Sequence, residues 1–178
     1  MKTLLILLVC GLITHTTEDE ICNQPTYSQN LAQFAKACMS STYDVVPSPG
    51  PDRGVDGITD TNHTLFPCSV TNLEYQSYFQ VDLELSYVVG RVVIFNRRDC
   101  CWNWLEGAKI LVGDEPGFNN PVCATIRNCS KSRPMMEFNC NGMQGRYVTI
   151  VHFNSSGIIA VCEMQVYQHN VMEQRQLL

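Results

Sequence analysis

The residues best equipped to do chemistry in this chain are Arg97 and Asp99, followed directly by Cys100-Cys101 and then Trp102 and Trp104. A guanidinium two positions from a carboxylate can be held by it in a fixed fork, its remaining N–H donors aimed at hydroxyl or carboxylate oxygens. Adjacent cysteines and indoles beside the fork supply apolar surface. At a strand end this combination makes a binding rim on a rigid scaffold. A polar turn closed by a local Arg–Asp ion pair is the plainer reading, and both stand at this stage. The tryptophans also read two ways, as ligand or partner anchors or as packing residues. Catalysis finds no support. His63, His152 and His169 sit in no nucleophile or metal motif, and no serine lies in a Gly-x-Ser-x-Gly elbow.

The elements that must position this knot read as strands. Val92 to Phe95 enters it as a β-branched and aromatic run. Tyr78 to Leu85 alternates, with Phe79, Val81, Leu83 and Leu85 on one side and Gln80, Asp82 and Glu84 on the other, the pattern of a half-buried strand. Lys109 to Val112, Gly145 to Phe153 and Ile158 to Tyr167 read as further strands. Val122 to Ile126 is expected to pair with Met135 to Phe138 across the loop holding Asn128 and Cys129. Asn30 to Ala37 is expected to be a short extended segment. Val45 to Gly54, with three prolines and two glycines, is a loop, and Gly54 to Gly57 a tight turn carrying Asp56. No long helical period is present and turn signals recur every ten or so residues, which predicts an all-β sandwich.

Composition sets the setting. The chain has 178 residues, 45% of them hydrophobic, with a net charge of −5. Scattered lysines and arginines exclude a nucleic-acid or anionic-membrane surface. Ten cysteines point to an oxidising compartment. Met1-Lys2 and the short apolar run Leu4 to Ile13 predict a secretory signal peptide over 1–16, then a leader over 17–29, a domain over 30–168 and a polar tail over 169–178. The expected location is extracellular, without membrane insertion. Asn62, Asn128 and Asn154 head N-glycosylation sequons.

A set of short words, in order, carries a family resemblance. They are Asn30-Leu31-Ala32, Ser40-Ser41-Thr42-Tyr43, Val55-Asp56-Gly57 with Thr59-Asp60, and Gln80-Val81-Asp82-Leu83. Arg91-Val92-Val93-Ile94 with Asn96-Arg97, Asp99-Cys100-Cys101 and Gly107-Ala108 follow. Last come Cys140-Asn141-Gly142-Met143, Gly145-Arg146-Tyr147-Val148, and Cys162-Glu163 before Val166-Tyr167. Over roughly Asn30 to Tyr167 the chain resembles the F-type lectins, or fucolectins. The resemblance implies a discoidin-like jelly-roll β-sandwich, a structural calcium ion, and a shallow fucose site at one end. Glycans or glycoproteins are the implied partners.

By the resemblance, disulfides fall on Cys68–Cys162, Cys100–Cys101 and Cys123–Cys140; Cys100 and Cys101 bonding to different partners remains the alternative. Cys22–Cys38 is a reasonable extra bridge, which leaves Cys129 unpaired or available to link a second chain. The implied calcium ligands are the side chains of Asp56 and Glu163 and main-chain oxygens near Arg53, Ile58, Pro67 and Cys162, an oxygen-rich set suited to a hard cation. The alternative is that the two carboxylates only cap or pair locally. At the implied sugar site Arg97, Asp99, Cys100 and Cys101 match, whereas Val70 stands in the histidine position and Trp104 in the second basic position. The site is therefore expected to be partly degenerate. Recognition of a partner protein through the same rim is the competing reading, with a homo-oligomer also open.

Overall fold

The computed structural model describes residues 29–44, 50–65 and 67–169. The proposed signal peptide, nearly all of the leader, Cys22 and all but the first residue of the tail lie outside them. Among the described residues ten strands run in chain order. They are β1 (Lys36–Met39), β2 (Ser69–Val70), β3 (Glu74–Tyr75), β4 (Tyr78–Phe95), β5 (Lys109–Gly113), β6 (Val122–Thr125), β7 (Met135–Val151), β8 (Ser156–Gly157), β9 (Ala160–Val161) and β10 (Glu163–Gln168). The only helical pieces among the described residues are two 3₁₀ turns, Pro51–Gly54 and Trp102–Leu105. The all-β expectation holds.

Two long antiparallel strands form the frame. β4 and β7 pair from Tyr78↔Val151 to Phe95↔Met135, with register breaks between Asp82 and Tyr87 and between Val89 and Arg91. β1 pairs with the first half of β4 and β10 with its second half. β5 lies on the second half of β7, with β6 on the outside of β5. Each long strand thus serves two layers, and the core lies between them. Phe79, Val81, Ile110, Val112, Val148 and Ile150 come from one layer. Val92, Ile94, Met136, Met164 and Val166 come from the other, and all belong to one buried cluster.

Several expectations need correction. The two strands read from Tyr78 to Leu85 and from Val92 to Phe95 are one element, because the chain passes Glu84 in the left-handed region (φ 68°) and resumes pairing. That break takes Leu85 off the buried face; it is 65% exposed while Phe79, Val81 and Leu83 are buried. Gln80, expected in solvent, is buried and donates to Thr149 Oγ1 at 2.7 Å. β6 pairs with β5, and Met135 to Phe138 with β4, so the expected hairpin between β6 and β7 does not form. What joins β6 to β7 is the Cys123–Cys140 disulfide. Finally, the segment after Asn30 is not extended. It turns through Phe34 (φ 61°) before β1 begins.

Candidate functional site

Two constellations predicted from sequence assemble at the end of the sandwich where β4 gives out. Arg97 follows Phe95 out of the sheet and turns inward, 8% exposed. Its Nε donates to Asp99 Oδ1 at 3.2 Å and its Nη2 to Asp99 Oδ2 at 2.6 Å, the fork geometry of a strong charge-assisted pair. Nη2 also reaches Cys100 Sγ at 3.1 Å. Cys100 and Cys101 bond to each other, and Cys101 enters the left-handed region (φ 61°, ψ 20°) to begin the 3₁₀ turn. Desolvation raises the Asp99 carboxyl. Hydrogen bonding and charge from Arg97, with the His63 N–H, outweigh that and hold it below its ordinary value.

Trp104 closes the constellation. Its ring lies under the Arg97 guanidinium at 5.6 Å and beside the Tyr43 ring at 6.2 Å. Its carbonyl is hydrogen-bonded to His152 Nε2 at 2.8 Å, and its N–H to Cys101 O at 3.0 Å, so the indole stands on a fixed turn. Trp104 and Tyr43 both pack against a small buried cluster of Cys68, Val70, Ala160 and Cys162. Val70 is fully buried there. The position where the resemblance implies a polar sugar contact is therefore an apolar floor. Trp102 is half-buried, and its carbonyl accepts from the Asn96 side chain at 2.8 Å.

Two neighbours were not placed by sequence reasoning. His63 is buried and comes to the pair from a distant loop, its N–H donating to Asp99 Oδ1 at 3.3 Å. Its Nδ1 accepts from the Cys68 N–H at 2.9 Å, which assigns the ring proton to Nε2. Burial, then the Arg97 charge, lowers its pKa, with Asp99 opposing. Tyr43 is tied in through its N–H to Val70 O at 2.8 Å. A histidine five residues before Cys68 was the available signal for the first. For the second there was none beyond the family word that ends in Tyr43.

The second constellation gathers the residues predicted to hold calcium. Arg53 Nη1 approaches Asp56 Oδ2 at 2.6 Å, and Arg53 Nε donates to Pro67 O at 3.4 Å. The Gly57 N–H donates to Glu163 Oε2 at 3.2 Å and the Ile58 N–H to Asp56 Oδ1 at 2.9 Å. The Cys68–Cys162 disulfide closes the ring of segments. Glu163 is fully buried, and desolvation pushes its carboxyl up to about 8; the Asp56 charge adds to this, while the Gly57 N–H works against it. Glu163 Oε1 and Asp56 Oδ2 are buried without a well-directed hydrogen bond, the Arg53 contact lying off hydrogen-bond geometry. A buried Glu163 oxygen without a partner, beside an Asp56 carboxylate that has Arg53 2.6 Å away, suits a hard cation.

The remaining predicted positions are more peripheral. Asn128 and Asn154 are exposed, while Asn62 is half-buried with its Oδ1 accepting from Thr64. Cys38 is exposed and belongs to none of the three disulfides among the described residues; its expected partner, Cys22, lies outside them. Cys129 also stands outside those disulfides. Burial, followed by Glu106, pushes its thiol up to about 12, an environment that disfavours the reactive thiolate.

Comparison with known proteins agrees with this architecture. Residues 53–150 match the family model of the NedA-like galactose-binding domain. Fucolectin-3 of Anguilla japonica is 38% identical over 118 residues, 64% of each chain. Fucolectin-1 of the same species is 30% identical over 176 residues, 93% of this chain and 95% of the relative. A serum F-lectin from Morone saxatilis, striped bass, superposes with a TM-score of 0.72 at 32% identity, covering 80% of this chain. This chain spans 48% of the bass protein's length and 64% of Fucolectin-3. No helix among the described residues is long and apolar enough to cross a membrane.

Proposed function

We propose that this chain, which belongs to the F-type lectin (fucolectin) family, is a secreted carbohydrate-binding protein whose sugar site has been rebuilt around Trp104. One observation carries the reading. Arg97 is locked by Asp99 above the Cys100–Cys101 disulfide and faces the Trp104 ring, so a hydrogen-bond donor and apolar platforms converge at one end of the sandwich. Nε and Nη2 are committed to protein acceptors, leaving Nη1 for a ligand oxygen. Indole and disulfide would then take the C–H face of a sugar, with binding and no catalytic step.

The same geometry argues against free L-fucose as a sufficient ligand. Val70 offers no polar side-chain atom and Trp104 only an indole N–H where two charged or polar partners are implied, and a hydrogen bond to a charged group contributes roughly 1.5–3 kcal/mol. Losing two weakens binding on the order of a hundredfold or more. An oligosaccharide that spreads over the Trp104 platform is the better fit. In this reading calcium is held by Asp56, Glu163 and carbonyls of residues 53, 58, 67 and 162, and it stiffens the loop beneath the rim rather than touching sugar. Glycans at Asn62, Asn128 and Asn154 belong to the same secreted setting.

A glycan array with and without calcium, followed by calorimetry, tests the proposal. Extended glycans should bind, free L-fucose should not, and Trp104→Ala should reduce whatever binding is found. Tight binding of free L-fucose by the unmodified chain would overturn the rebuilt-site reading. The competing protein-partner reading draws on Leu65 and Leu73, 66% and 70% exposed on the loops either side of Val70 in sequence. An array blank for every glycan would favour it.

A further inference from the structure

Arg97 and Arg98 are neighbours in the chain but differ in exposure and surroundings, and the second has no role in the site above. Arg97 is buried against Asp99 and Trp104; Arg98 is exposed and lines an open cleft of about 390 Å³. That volume falls within the range of small-ligand sites. The loop of Thr59, Asp60 and Thr61 forms one wall, and Phe95, Pro134 and Met135 form an apolar strip on another. Both walls are pinned by backbone bonds. The Arg98 N–H donates to Thr61 O at 2.9 Å and the Asn96 N–H to Pro134 O at 2.7 Å.

The electrostatics single out one charge. Arg98 takes part in none of the ion pairs found among the described residues, in a protein whose net charge is −5. The one carboxylate in the lining, Asp60, turns one oxygen to its own loop, accepting from the Asn62 N–H at 2.8 Å. Beside this free guanidinium lie two threonines and Met135, which is 52% exposed. A planar fork recognises a carboxylate or sulfate through paired hydrogen bonds. The apolar strip suits the C–H face of a pyranose or an acetamido methyl.

We propose that this cleft is a subsite for an anionic sugar unit, one bearing a carboxylate or a sulfate. It would take the unit next to the one held at Arg97, a placement that rests on the glycan-recognition reading. Arg98 would grip the anion, the Thr59 and Thr61 hydroxyls the ring substituents, and Phe95, Pro134 and Met135 the apolar face. Because the segment 97–99 is tied to 61–63 at both Arg98 and Asp99, the two sites keep a fixed separation. The protein would then select acidic glycans over their neutral counterparts.

The experiment compares matched oligosaccharides with and without a terminal sialic or glucuronic acid, or a sulfate, on the full chain and on Arg98→Ala and Arg98→Lys. The acidic member should be preferred at least tenfold, the scale of one charge-assisted contact. The preference should vanish in Arg98→Ala and partly survive in Arg98→Lys, the carboxylate and sulfate arms identifying the anion. No preference, or a preference unchanged in Arg98→Ala, overturns the subsite while leaving glycan recognition intact. If no oligosaccharide binds, glycan recognition fails, and the cleft is decided by itself. Methyl glycosides of sialic and glucuronic acid and a sulfated galactoside are then titrated against methyl-labelled protein. Saturable shifts of the Met135 methyl with anionic but not neutral sugars, absent in Arg98→Ala, support it; an unmoved methyl overturns it.

Discussion

Replacing Asp99 by leucine should destabilise the native state by about 3 kcal/mol, although the residue lies at an open end of the sandwich. Arg97, 8% exposed, donates two bonds to this carboxylate, at 3.2 and 2.6 Å. Without it the guanidinium keeps the Cys100 sulfur and the Trp104 ring, neither of which neutralises it. Removing one partner of a buried pair costs about 3–5 kcal/mol. The side chains here are 9% and 16% exposed, which admits some water and places the effect at the lower end. In a chain of this size that is a fall in Tm of roughly 6–12 °C. Removing both charges, as Arg97→Met with Asp99→Leu, should restore most of the loss, less the His63 N–H that also needs Asp99. The pH dependence has a definite sign. A carboxyl held below its ordinary 3.8 in the fold contributes stability above that value and loses it as pH falls through its folded pKa. Wild type should therefore lose this increment below about pH 4, and the double variant should not. Thermal and urea melts of the three proteins at pH 7 and across pH 3–5 measure both effects. A loss under about 1 kcal/mol for the single variant would place the pair among ordinary surface ion pairs. A double variant as unstable as the single would refute the account outright.

Three further outcomes are expected. Chelator should lower the melting temperature of the wild type, Asp56→Ala should abolish the difference, and a melt indifferent to chelator would remove the calcium proposal. Val70→His with Trp104→Arg should create L-fucose binding measurable by calorimetry. Val70→His alone should mainly destabilise, since it forces an imidazole into a fully buried site beneath Trp104. Cys129 should react slowly with maleimide at pH 7 in the native protein and rapidly after unfolding, because it is half-buried and its thiol is pushed up to about 12; fast native labelling would contradict this.

What could be read from sequence was whatever depends on near neighbours. Arg97 and Asp99 lie two positions apart, so spacing puts them within reach of each other, while the Cys100–Cys101 bond was implied by the family resemblance. The strand runs were equally plain, as in Val92 to Ile94 and Val148 to Val151. What failed was pairing and continuity. Nothing in Glu84-Leu85-Ser86 announces that the chain will pass through a left-handed residue and resume the same strand. The proximity of β6 and β7 was real, but a disulfide makes it rather than a ladder. His63 and Tyr43 escaped because they lie 36 and 61 positions from their site partners Asp99 and Trp104. The depth of Val70 was hidden too, since a substitution says what replaced a polar residue but not that an indole and a phenol would cover it.

The pairing of Asn30 with Tyr167 has a consequence for how such domains are assembled. Leu31 donates to Val166 O at 2.8 Å and Val166 donates to Asn30 Oδ1 at 3.0 Å, so the first and last described segments sit side by side. They meet opposite Arg91, four residues down β4 from Phe95, or roughly 13 Å from the rim at strand spacing. A fold whose entry and exit share one point, set back from its working end, behaves as a cassette. It can be spliced into a longer polypeptide, or strung several to a chain, without bending the frame that holds Arg97. The bass protein, whose chain is matched over only 48% of its length, is the kind of larger architecture that such a layout permits. Copies on one chain would present several Arg97–Asp99 ends together, and simultaneous engagement would raise their combined hold on any multivalent ligand.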